Sequence, residues 1–75
     1  MKLNEFVANF ADQFDETDPE DIQANTVFHD LDDWSSLTGM GVIALAKTEY
    51  GKTITGAELR ACVTVEDVFN LIASK

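Results

Sequence analysis

Apolar residues recur at helical spacing in several stretches of the chain, with polar or glycine-marked breaks between them. Leu3, Phe6, Val7, Phe10 and Phe14 follow the i, i+3, i+4, i+7 rule of an amphipathic helix. Asp15 and Glu16 then open a long polar connection to Trp34. Within it, Thr17-Asp18-Pro19-Glu20 combines a cap-type residue, an early proline and a glutamate at capping-box spacing, which predicts a short helical turn through Ile22 and Ala24. Val27, Phe28 and Leu31 are apolar islands that should pin this connection to the core and leave Asp30, Asp32 and Asp33 in water.

A second helix is predicted from about Ser36 to Tyr50, closed by Gly51 as its C-terminal cap, with Lys47 and Lys52 near the negative end of its dipole. Its apolar residues lie on more than one face. Val42, Ile43, Ala46 and Tyr50 mark the expected core side, whereas Leu37, Met40, Gly41 and Ala44 form a separate stripe that is exposed or half-exposed and open to a partner. Thr55-Gly56-Ala57-Glu58 reads as a capping box opening a short helix through Leu59 and Ala61. Thr64-Val65-Glu66-Asp67 opens a last helix with Val65, Val68, Phe69 and Ile72 facing inward. No segment alternates as a half-buried strand does. The fold class expected is all-α: a single domain over residues 1–75, built as a bundle of three principal helices plus one short one, with a long loop between the first and second helices.

Seventy-five residues with 45% apolar content can fold, but around one small core. Charge changes the picture more. Fourteen acidic against five basic residues give a net charge of −9, and no Lys or Arg occurs from Leu3 to Ala46. Such a chain repels phosphate backbones and anionic membranes, so neither nucleic acid nor membrane insertion is expected, and its partners should carry positive patches. The single cysteine excludes an intramolecular disulfide, and no stretch approaches a basic leader or a spanning helix, so a cytoplasmic monomer is the expectation. Met1 and a Lys75 end just past the last helix favour a free-standing domain.

Candidate chemistry centres on Asp32-Asp33-Trp34-Ser35-Ser36-Leu37, where an acidic loop meets a serine pair at a helix start. Backbone N–H groups and the helix dipole favour an anion at such a place. This segment, with the acidity and the order of elements along the chain, resembles the acyl carrier protein family. In that family the serine of an Asp-Ser-Leu motif begins the second helix and bears phosphopantetheine. The Ser-Leu pair and the distance onward to Glu49-Tyr50 select Ser36 as the attachment point over Ser35, which replaces the usual aspartate and can still cap the helix.

The resemblance implies a carrier without catalysis of its own, holding acyl groups as thioesters on a covalent phosphopantetheine arm derived from coenzyme A. It would deliver them between enzymes of fatty-acid, lipid or specialised acyl biosynthesis. The implied partners are a phosphopantetheinyl transferase and acyl-loading, condensing and acyl-transfer enzymes with basic docking patches. The recognition residues would be Asp30, Asp32, Asp33, Leu37, Met40 and Ala44. Phe28, Val42, Ile43, Ala46, Ile54, Leu59, Val63 and Phe69 would be candidates to line an acyl pocket. The chain departs from the family in its second helix, which has one acid, Glu49, and carries Lys47, Gly39 and Gly41. That favours a dedicated carrier serving a specialised pathway. The alternatives are an aminoacyl or peptidyl carrier and a small acidic interaction module without a covalent cofactor.

Other chemistry is weaker in the sequence. His29, the lone histidine, reads as an exposed or loop-packing residue rather than a base for Ser36, and Cys62 as a small buried core residue. Asp30-Leu31-Asp32-Asp33 begins like a calcium loop, but Ser35 and Gly41 stand where glycine and glutamate are required, so no metal site is expected.

Overall fold

The computed structural model describes residues 2–75 and is all-helical. It comprises α1 (Leu3–Ala11), α2 (Ser36–Tyr50), α3 (Gly56–Ala61) and α4 (Val65–Ala73), with 3-10 turns at Pro19–Asp21 and Phe28–Asp30 in the long connection. This is the small bundle with one short helix that the sequence predicts.

Local chemistry fixes most boundaries. Ser35 caps α2, and Gly51 ends it in the left-handed region at φ 67°, where a side chain would be strained. Thr55 with Glu58, and Thr64 with Asp67, close reciprocal capping boxes on α3 and α4. Two expectations need correction in the long connection. Asp18, not Thr17, caps the first turn by accepting from the Glu20 N–H, and that turn ends at Asp21, before Ile22 and Ala24. α1 also stops at Ala11, although Phe14 beyond it is still buried.

The core is a run of rings. Tyr50 meets Phe6 at 5.7 Å, Phe6 meets Phe10 at 6.0 Å, Phe10 meets Phe28 at 5.4 Å and Phe28 meets Trp34 at 4.8 Å between centroids. The aromatic chain therefore spans from the C-terminal end of α2 to the residue just before its N-terminus. Ile22, Val42, Ala46, Ile54, Leu59, Val65, Val68 and Ile72 close around it.

The second half of the long connection is tied to the α3–α4 junction. Val65 N–H donates to Thr26 O at 3.1 Å, Glu66 N–H donates to Ala24 O at 2.9 Å, and Val27 forms an isolated antiparallel bridge with Thr64. His29 Nε2–H donates to Cys62 O at 3.0 Å, because a carbonyl can only accept. The connection is thus a strap across the start of α4.

Two carboxylates of the capping boxes make the fold sensitive to acid. Hydrogen bonds from the Thr64 and Val63 N–H groups hold Asp67 below its ordinary range, and Lys75, then the Thr55 N–H, do so for Glu58. A carboxylate depressed in the folded state stabilises the fold above its unfolded value, near pH 4, and that contribution is lost as pH falls through the lower folded value. The urea midpoint of the wild type should fall as pH drops below about 4. In Asp67→Asn the decline should be shallower; an identical acid limb in both proteins contradicts the role given to Asp67.

Candidate functional site

Ser35 and Ser36 are adjacent and exposed, yet their hydroxyls differ. Ser35 Oγ accepts from the Thr38 N–H at 3.3 Å and lies 3.2 Å from Thr38 Oγ1. Thr38 Oγ1 spends its own proton on Asp33 O at 3.1 Å, so the Ser35 proton is the one shared between the two hydroxyls. Ser35 is consumed by capping. Ser36, the first residue of α2, has no hydrogen-bond partner for its hydroxyl among the described residues. Sequence reasoning missed Thr38, which is buried, although its spacing to Val42, Leu45 and Ala46 is that of one helix face.

The remaining candidates separate in space. Leu37 and Met40 are 76% and 65% exposed, and Ala44 continues their stripe in solvent. Leu45, absent from the expected core face, is buried on it. Asp30 and Asp32 stand in water, but Asp33 does not: its Oδ2 accepts from the Glu16 and Thr17 N–H groups at 2.8 and 3.3 Å. Asp33 clasps the start of the long connection to the start of α2, a role that depends on two segments meeting.

Of the residues expected to line a pocket, Phe28, Val42, Ala46, Ile54 and Leu59 are buried, and Ile43 and Phe69 are half-buried against them. Val63 is 54% exposed, a correction, because the α3–α4 junction turns it outward while its N–H donates to Asp67 at 3.0 Å. Cys62 is half-buried rather than buried. Burial, then the Asp67 and Glu58 carboxylates, push its thiol pKa up, so it remains protonated at neutral pH.

A groove of about 240 Å³ opens beside Ser36, between α2 and α3. Trp34, Met40, Ile43 and Leu59 wall it, Gly39 and Gly56 contribute one bare position from each helix, and Arg60 stands at its edge. The Trp34 ring covers Gly39, where an added Cβ would sit 3.6 Å from Cη2 and Cζ2 and 3.7 Å from Leu59. Those are ordinary contacts, so Gly39→Ala is expected to stabilise the fold by about 0.5–1 kcal/mol through helix propensity. A urea midpoint at or below the wild-type value sinks this expectation. A larger cleft of about 490 Å³, bounded by Glu49, Tyr50, Lys52, Ile72 and Ala73, lies at the opposite end of α2 and has no connection to the serines.

Charge is divided along the same axis. Asp30 and Asp32 lie before the N-terminus of α2, and Glu16, Asp18, Asp21 and Asp33 surround the same loop cluster. Lys47 lies in the last turn of α2, and Lys52 Nζ bonds Lys75 O at 2.7 Å just beyond it. Among the described residues no group of three His, Cys, Asp or Glu side chains is arranged to hold a metal ion, and no helix is long and apolar enough to cross a membrane.

Comparison of the chain with protein-family models, curated proteins and solved structures finds no match.

Proposed function

We propose that this chain is an acyl carrier, with phosphopantetheine esterified to Ser36. The observation that carries the reading is the division of labour in the serine pair: Ser35 holds the helix end with both its lone pair and its proton, and Ser36 presents a free hydroxyl at the first position of α2. The residues fit the group chemically. A phosphodiester at that position gains from the helix dipole and from Arg60 nearby.

Loading forms a bond from Ser36 Oγ to the phosphorus that becomes the diester. The bond from that phosphorus to the 3′,5′-bisphosphoadenosine portion of coenzyme A breaks, and the hydroxyl proton passes to a base on the transferase. Among the described residues no side chain hydrogen-bonds the Ser36 hydroxyl as a base would, and the His29 Nε2–H is committed to Cys62 O. When bound, the arm supplies the thiol on which acyl groups ride as thioesters. The exposed Leu37 and Met40, preceded in the chain by the exposed Asp30 and Asp32 of the loop, offer partner enzymes an apolar ridge with an acidic lead, suited to a basic patch. The acids come from the loop and not from α2 itself, which supports a dedicated carrier for a specialised acyl pathway.

The test is intact mass after incubation with coenzyme A and a broad-specificity phosphopantetheinyl transferase. Wild type is expected to gain one arm. A folded wild-type chain that gains no mass with several transferases sinks the carrier reading and leaves the same ridge and acids as the surface of an interaction module.

A further inference from the structure

Resting on the carrier reading, we infer that Asp33 and Thr38 are positioning residues for loading: together they hold the chain ahead of Ser36 so that its hydroxyl meets the transferase at a fixed place. In loading, Ser36 Oγ bonds to phosphorus as the bond to 3′,5′-bisphosphoadenosine breaks, and the hydroxyl proton passes to the transferase's base. The partner brings the base and the phosphate. What this chain can set is where Ser36 Oγ stands, and an error of about 1 Å at a reacting atom can cost about 100-fold in rate.

A helix start leaves its first N–H groups without intrahelical partners and tends to fray. Here Asp33, Trp34 and Ser35, the residues that lead into Ser36, are each tied down. Asp33 is used at both ends: its Oδ2 accepts from the Glu16 and Thr17 N–H groups at 2.8 and 3.3 Å, and its carbonyl accepts from Thr38 Oγ1–H at 3.1 Å. Trp34 N–H donates to Leu31 O at 3.0 Å, and its ring meets Phe14 at 6.1 Å and Phe28 at 4.8 Å between centroids. Ser35 Oγ accepts from the Thr38 N–H at 3.3 Å, and Ser35 O from the Gly39 N–H at 2.9 Å.

Thr38 is the piece that joins these ties. Among the described residues it is the one buried polar side chain, and a buried hydroxyl is costly unless it is bonded. Its bonds run to Asp33 and Ser35, across Ser36 in the chain, and none runs into the core. Valine would supply the same branched shape to the core without those bonds. The hydroxyl therefore serves the helix start, and through Asp33 it extends the hold to the Glu16–Thr17 backbone.

The carrier is a substrate of the transferase, which separates positioning from stability. A variant that is merely less stable offers fewer folded chains, so it needs more enzyme for half-saturation and reaches the same saturated rate; a misplaced hydroxyl lowers the saturated rate itself. The experiment measures single-turnover loading from coenzyme A with a broad-specificity phosphopantetheinyl transferase in excess, for wild type, Thr38→Val, Thr38→Ser, Asp33→Ala and Asp33→Asn. Hydrogen exchange at the Gly39 amide reads opening of the helix start, with the Ala46 amide as the mid-helix reference. Thr38→Val and Asp33→Ala should each lower the saturated rate about tenfold, inside the range that misplacement spans, and quicken exchange at Gly39 more than at Ala46. Thr38→Ser keeps the hydroxyl and should recover most of the rate. Asp33→Asn keeps an acceptor oxygen without the charge, so it should hold the saturated rate and raise only the half-saturating concentration. A saturated rate equal to wild type in either Thr38→Val or Asp33→Ala, or no recovery in Thr38→Ser, overturns the inference and leaves the carrier reading standing. Equal loss in Asp33→Asn and Asp33→Ala makes Asp33 a charge that the enzyme reads and overturns its positioning role. Failure of the folded wild type to load is a different result, and it overturns the carrier reading itself.

Discussion

Replacing Phe28 with alanine is expected to leave the chain largely unfolded at 25 °C. Phe28 is fully buried and touches Phe10, Trp34 and His29, so it links Trp34 to Phe10 in the aromatic chain and anchors the long connection. Truncating a buried phenylalanine costs about 3–5 kcal/mol, and a single core of this size supplies roughly 3–5 kcal/mol in total. The loss matches the whole net stability. Far-UV circular dichroism and urea titration check it, with Phe28→Leu as the milder companion that keeps most of the volume. A Phe28→Ala chain that retains its helical signal and loses less than about 1 kcal/mol would show that the strap is held by its backbone pairs with α4 instead.

The serine pair carries the other large effect, and its two members should fail in opposite ways. Ser36→Ala is expected to abolish loading completely, because no bond to phosphorus can form, while leaving the helix start intact. Ser35→Ala removes the acceptor for the Thr38 N–H and the partner of the Thr38 hydroxyl, which should cost about 0.5–2 kcal/mol of stability. It should still take the arm. Intact mass and a thermal melt on both variants resolve the pair. Loading that survives Ser36→Ala and disappears in Ser35→Ala reverses the assignment; stability unchanged in Ser35→Ala removes its role as cap.

What was legible in the sequence divides along physical lines. Caps are local, so Ser35, Gly51, Thr55 with Glu58, and Thr64 with Asp67 announce the helix ends from side chains a few residues apart. Within α2 the exposed stripe of Leu37 and Met40 was legible, but Leu45, buried on the core face, was not, because in a helix apolar on more than one side periodicity leaves the edge of the covered face undefined. Asp33 looked like one more solvated acid because its partners, the Glu16 and Thr17 N–H groups, arrive from the far end of the connection. The strap from Ala24 to Val27 has the same origin, since its pairs are contributed by the start of α4. For the site, the sequence offered two serines and a reason to prefer one. Only the positions of Thr38 and Asp33 reveal that the other is already engaged, and only the packing of α3 on α2 brings Arg60 to the serine's side.

The separation of charge along α2 has a consequence for motion rather than for contact. With Glu16, Asp18, Asp21, Asp30, Asp32 and Asp33 about the serine end against one cation among the described residues, Arg60, and Lys47, Lys52 and Lys75 offset by Glu49 and Glu58 at the other, the molecule responds to an outside field as a compass needle does, experiencing a torque as well as a pull. Near any surface of positive potential it turns before it touches, and the end it brings forward is the one that bears Ser36. Added salt shortens the distance over which that turning acts, to about 8 Å at physiological ionic strength, so the advantage is one of arrival in the right attitude and not of tighter grip.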